Sequence, residues 1–369
     1  TGCAAAVSGG GVYVSGGTVN LKDTTMIDGC RSTGDYTHGG GIDANNSVLN
    51  MIEGTPIIRN CEAPRGGAIR VNGSGSVANI SVGTITLNTA TTNGGAIRVE
   101  GGATANISGG TISNNTAQNS GGAIHVHSKS TANISGGTIT LNVAGMNNTA
   151  YGGAVYVESG AVTISGGTIS NNKASSSRKY AATIAGGAVY AAGGTTLDIT
   201  DGIISGNEAG YTGETVSSDT RTKVYGGAVY LADTATATLS GGSIKGNTVS
   251  GNTDLFGAGI YLAQGSSMNI SGAPFFGGTG VTNEETGELD NSSGNLLATT
   301  ISAENGGANY THYRQDIYIA GYASTTDGEG NPVETPATSL VVTGDLTGET
   351  GSIWVWAAED PHYKEDRQF

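Results

Sequence analysis

Five side chains in three short stretches have the types needed for chemistry: Arg98 and Glu100, His125 and His127, and Glu158. Carboxylates on either side of an imidazole can serve as general acid and base or hold a metal ion. The plainer reading is a solvated face on which opposite charges stack as cross-strand pairs. That reading is preferred, because no Ser/His/Asp set, CxxC pair or phosphate loop accompanies the five residues. Tyrosines form a second group. Tyr156, Tyr190, Tyr230 and Tyr261 recur at one position of a repeat, and Tyr151, Tyr180, Tyr211 and Tyr225 lie in the longer stretches nearby. Rigid amphipathic rings suit a sugar or protein surface, and they suit aromatic stacking within a sheet equally well. At the acidic end, Asp327, Glu329 and Asn331 place oxygen atoms at alternate positions, as in some Ca²⁺ loops. The rest of such a loop is missing, so no metal or cofactor is assigned.

What could position these groups is a repeat. Gly-Gly-Ala/Gly-Ile/Val begins at Gly9, Gly39, Gly66, Gly94, Gly121, Gly152, Gly186 and Gly226, with a variant at Gly257. The spacings are 30, 27, 28, 27, 31, 34, 40 and 31 residues, and nearly all the variation falls just before the next Gly-Gly. A solenoid behaves this way, with strands held in register and insertions confined to one corner. In the unit 94–120 the strands are read as Ala96–Glu100, Ala103–Ser108 and Thr111–Asn114.

Side chains alternate between the faces of a strand. One inward column therefore runs Val12, Ile42, Ile69, Ile97, Ile124, Val155, Val189, Val229 and Ile260. Others pass through Val99, Ile107 and Ile112 and their equivalents, so the interior is narrow, dry and aliphatic. The outward column between the first two is Tyr13, Asp43, Arg70, Arg98, His125, Tyr156, Tyr190, Tyr230 and Tyr261. This pattern predicts an all-β, right-handed parallel β-helix of about nine three-strand coils over residues 1–280. An acidic extension, 281–369, would add further coils or capping strands.

Asparagines follow the third strand at Asn60, Asn88, Asn115, Asn142, Asn172, Asn207 and Asn247, where stacked amides can satisfy a corner. The Asn-Ile-Ser triplets at Asn79, Asn106, Asn133 and Asn269 match a glycosylation acceptor, but the repeat itself explains them. Cys3, Cys30 and Cys61 are spaced by 27 and 31 residues, so they fall on neighbouring coils within reach of one disulfide, Cys3–Cys30 or Cys30–Cys61. Such a bond favours an oxidising, extracellular setting. Three buried thiols are the alternative.

The combination of GGAI with Ile-x-x-Asn (Ile85 to Asn88, Ile112 to Asn115, Ile139 to Asn142) resembles the repeats of polymorphic outer-membrane proteins. It is more similar still to adhesin-like β-helix repeats of large bacterial and archaeal surface proteins. The likeness covers residues 9–280. It departs from the outer-membrane group in having Ile where Phe is usual and in lacking a barrel-like C-terminal domain. The resemblance implies a secreted or cell-surface role in attachment and identifies no receptor. With the tyrosines, the expectation is a non-enzymatic stalk or adhesin whose partner is a glycan or a host or neighbour-cell surface protein.

Composition bounds the remaining possibilities. The chain has 369 residues with 64 Gly, 6 Pro and 12% charged residues, and its net charge of −14 makes nucleic acid an unlikely partner. Nearly all that acidity lies after residue 256. No apolar run is long enough to span a membrane. With no initiator Met or signal peptide, and an opening in mid-repeat, the sequence is expected to be a piece of a longer precursor. Two other functions compete. A polysaccharide-cleaving β-helix would use the outward face of the first strand, although the dense Asp cluster of pectate lyases and polygalacturonases is missing. An ice-binding face could be built from Thr84/Thr86, Thr111/Ser113, Thr138/Thr140 and Thr168/Ser170, but Ile203 and Lys245 interrupt it.

Overall fold

The computed structural model describes residues 2–34, 37–145, 149–178, 183–213, 222–251 and 254–276. It also describes strands or strand segments at 296–302, 308–314, 317–320, 325–326, 332–333, 338–343, 354–357 and 367–368. The described chain is all-β and winds as a right-handed parallel β-helix.

The first strands of successive coils build one twelve-stranded sheet, from Val12–Ser15 through Ile97–Glu100 to Ile260–Leu262 and beyond. Register is kept coil by coil: Ile69 faces Ile97, Ile97 faces Ile124, and Ile124 faces Val155. All four are fully buried. Parallel pairing at about 4.8 Å lets each β-branched side chain rest on its like.

The second and third strands are not separate walls. Both lie in one fourteen-stranded sheet, and in four coils they fuse into single long strands, such as Thr104–Ser113 and Ser130–Thr140. Register shifts interrupt them at the Ser-Gly-Gly step. There Gly110 (φ 72°) and Gly137 (φ 77°) take up a bulge that a residue with a Cβ would resist, so the chain bends without leaving the sheet.

The third wall is a short strand after the Asn corner, at Glu62–Arg65, Thr89–Asn93, Thr116–Ala117, Val143–Ala144 and onward. Its buried column is alanine: Ala63, Ala90, Ala117, Ala144, Ala174 and Ala209 are all fully buried but lie outside the main aliphatic core. Its marker, Asn-x-Ala, is present in the sequence but short enough to pass for a corner.

The insertions fold into a small four-stranded sheet, Thr149–Tyr151, Thr183–Ala185, Lys223–Tyr225 and Asp254–Phe256. Ile184, Val224 and Leu255 close a second apolar core with Ala150, Ala174 and Ala209. After residue 280 parallel stacking goes on, with Ile317–Ile319 on Ile260–Leu262, and Trp354–Ala357 on Ile317–Ile319. Two antiparallel strands, Ala308–Arg314 and Arg367–Gln368, are added at sheet edges.

The corner column needs one correction. Cys61, not Asn60, is the equivalent of Asn88: the Cys61 amide donates to Asn88 Oδ1 at 2.9 Å. Asn60 belongs one position earlier, with Leu87 and Asn114, where the backbone turns through positive φ. From Asn88 to Asn247 the amides form one buried chain, each Nδ2 donating to the next Oδ1 at 2.9–3.0 Å. The paired strands put Cys3, Cys30 and Cys61 in register at the head of that column. All three are free thiols, so the expected disulfide is not formed. Burial pushes Cys61 up to about 12, which marks it as an apolar packing group.

Candidate functional site

The outer face of the twelve-stranded sheet is less open than alternation alone suggests. The first glycine of each pair turns the chain sharply: Gly152 has φ 61°, and a Cβ there would lie 2.0 Å from the Val155 carbonyl oxygen. The residue just before the pair is thereby laid beside the outward column. These residues make a parallel column of their own, with His38 bridged to Arg65, Asn93 to Ser120, and Ser120 to Tyr151. It runs on through Ala185, Tyr225 and Phe256.

The charged residues are consequently enclosed, not spread on a solvated face. Asp43 and His125 are 0% exposed, Arg98 6% and Glu100 8%. Glu100 accepts from Arg70 Nε at 2.6 Å and from Arg98 Nε, while Arg70 Nη1 reaches Asp43 at 3.3 Å. Burial opposes the Glu100 charge, but the two guanidinium groups outweigh it and hold the carboxyl down at about 2. Arg98 Nη1 lies 2.9 Å from His125 Nδ1, and His125 Nε2 lies 2.8 Å from Glu158 Oε2. Because a guanidinium can only donate, His125 carries its proton on Nε2 and donates it to Glu158. Burial, with Arg98 close by, lowers His125 to about 4, so the ring is neutral at pH 7. His38, 3.8 Å from Glu100, is lowered to about 4 by burial and by Arg70. Its place in the network had no signal in the repeat, because it lies in the variable stretch before Gly39.

His127 does not bridge Glu100 and Glu158. Its Nδ1 is 3.1 Å from Glu158 Oε2, while Glu100 is turned to Arg70 and Arg98. The two carboxylates therefore belong to different pairs. Glu100, doubly ion-paired, is badly placed to carry a proton at neutral pH.

Further along the same column the aromatic rings stack on one another. His125 and Tyr156 lie 5.0 Å apart at 16°, Tyr190 and Tyr230 4.7 Å at 17°, Tyr230 and Tyr261 5.2 Å at 2°, and Tyr261 and Tyr318 5.3 Å at 6°. Tyr156 meets Tyr190 edge-on at 5.4 Å. Tyr151 stacks on Tyr190 at 4.4 Å, and Tyr225 sits 4.6 Å from Tyr261. The rings are half-buried or, for Tyr261, 9% exposed, so this ladder is sheltered and not freely outward. Burial raises the phenols of Tyr151, Tyr156, Tyr190, Tyr225, Tyr230 and Tyr261, Tyr225 to about 12, and these six are protonated at pH 7. Tyr211 is elsewhere: it faces Ser176 in the third wall and packs on the second apolar core. Tyr180, Asp327, Glu329 and Asn331 lie outside the described residues.

The other outer face is polar and in register. Asn50, Asn79, Asn106 and Asn133 donate along their own amide ladder at 2.8–2.9 Å, so the acceptor-like triplets have structural work to do. Hydroxyls pair there too, Thr86 with Ser113 and Ser170 with Thr140, each at 3.3 Å.

Fold and site together define a protein of the parallel β-helix class with a sheltered charged-and-aromatic column along one outer face. No protein-family model, curated protein or solved structure matches the chain.

Proposed function

We propose that the chain is part of a non-enzymatic, adhesin-like stalk of a bacterial or archaeal cell-surface or secreted protein. It binds a glycan or a protein of a host or neighbouring cell through coils bearing Tyr156, Tyr190, Tyr230 and Tyr261. The observation that carries the reading is the run of rings in contact from His125 to Tyr318 along one face, stacked except at the edge-on step from Tyr156 to Tyr190. Ring faces are engaged with one another, so a ligand meets ring edges and neutral hydroxyl groups. Such groups hydrogen-bond sugar hydroxyls or a peptide backbone at little cost in side-chain entropy. The resemblance to adhesin-like repeats supports the same role and an extracellular setting. Against chemistry on the ligand stands Glu100, fixed between two arginines.

The test is retention of the labelled chain on a printed glycan array and on intact cells. Retention on a definite subset of glycans or cells is expected; no retention on either removes the reading. Release of oligosaccharides from a uronic-acid glycan would replace it with the enzymatic one.

A further inference from the structure

We propose that His125, His127 and Glu158 form an open binding site for one divalent transition-metal ion of the zinc or cobalt class. The site is independent of the binding role assigned to the tyrosines. The residues come together for a simple reason. Positions i and i+2 of a strand share a face, which puts both imidazoles on the outer side of one coil. The pairing of Val126 with Val157 then sets Glu158 beside His127 on the next coil.

One donor atom from each residue lies within 4.8 Å of the other two. Glu158 Oε2 is already 2.8 Å from His125 Nε2 and 3.1 Å from His127 Nδ1. An ion with bonds of about 2.0–2.1 Å sets tetrahedral donors about 3.3 Å apart, and Glu158 Oε2 already stands near that spacing from both ring nitrogens. His127 Nδ1 supplies a separate observation. It is shut off from solvent yet makes no hydrogen bond of acceptable geometry, even with Glu158 so near. A buried ring nitrogen left unpaired costs free energy, and a metal ion would satisfy it.

The two exposures differ in a useful way. His125 is at the back with its side chain 0% exposed, while His127 and Glu158 are 33% and 41% exposed. An ion held there keeps an open side for water or for an oxygen atom of a bound molecule. As a ligand, His125 must present a ring nitrogen that carries no proton. Its proton now sits on Nε2, facing Glu158. On capture the proton moves from Nε2 to Nδ1, and the ring stays neutral. Arg98 then gives up its bond to Nδ1 and keeps its Nε bond to Glu100.

The experiment is titration of the metal-stripped chain with Co²⁺ and with Zn²⁺, followed by calorimetry and by the cobalt visible spectrum. His127→Ala and Glu158→Gln are measured beside it, with melting temperatures taken on the same samples. Both replaced side chains are on the open side, so the fold should survive. The expected result is one ion per chain, a spectrum of nitrogen and oxygen donors, and at least about tenfold weaker binding in each variant. Three results overturn the proposal: no stoichiometric uptake, uptake unchanged in both variants, or an intense thiolate charge-transfer band. The last would place the ion at Cys3, Cys30 or Cys61.

Discussion

Leu87 and Leu141 hold the left-handed conformation, each with φ 57°, and are 55% and 52% exposed. Their equivalents on other coils are Asn60, Asn114 and Asn171, or glycine at Gly206 and Gly246, residues that tolerate this conformation. The two leucines thus carry strain with no burial to offset it. Leu87→Asn with Leu141→Asn should stabilise the chain by about 1 kcal/mol for each site, read as a higher melting temperature. An unchanged or lower melting temperature would mean that these side chains make contacts that matter. Single positions also show where periodicity misleads. Asn60 has the right residue type for the amide column but the wrong phase, and only the amide bond from Cys61 to Asn88 fixes the phase. The inward Ile and Val columns were legible because each is repeated on every coil.

At the level of elements, the polar network under the Gly-Gly turns links five coils: Asp43, Arg70, Glu100 with Arg98, His125, and Glu158. It ties acid stability to position in the fold. His38 and His125 sit near 4, below their ordinary 6.5, so the unfolded chain takes up more protons as pH falls. Their stabilising effect is complete above pH 6.5 and is lost between 6.5 and 4. Glu100, at about 2 against an ordinary 4.5, adds a second loss between 4.5 and 2. Asp43, raised by burial, pulls the other way as pH falls toward its ordinary 3.8. Melting temperature should therefore be level above pH 7 and begin to fall below 6.5, before ordinary carboxylates titrate. A curve flat down to pH 5 would contradict the enclosure of the two rings. This enclosure was not legible in the sequence. Alternation correctly put Arg98 and His125 on the outer face, but their shelter comes from the irregular stretch before each glycine pair. His38, Asn93 and Ser120 share no residue type there, so no column could be read.

Across the whole molecule, each coil touches mainly its two neighbours, and the interior is a set of like-on-like stacks. The insertions at coils six to nine were visible as lengths; their small sheet and second core were not. Its strands, TAY, TIA, KVY and DLF, are too short and too unlike to show a period. That sheet places Tyr151 and Tyr225 against the ring ladder, giving one sheltered aromatic face at one end of the described coils. The proposed function rests on that face acting through hydroxyls and edges. The most direct measurement is retention of a Tyr190→Phe, Tyr230→Phe double variant on the surface that retains the unaltered chain. Phenylalanine keeps the stack and removes only the hydroxyl groups, so the melting temperature should be preserved while retention falls about tenfold. Full retention with an unaltered fold would contradict the account and leave the tyrosines as a structural spine.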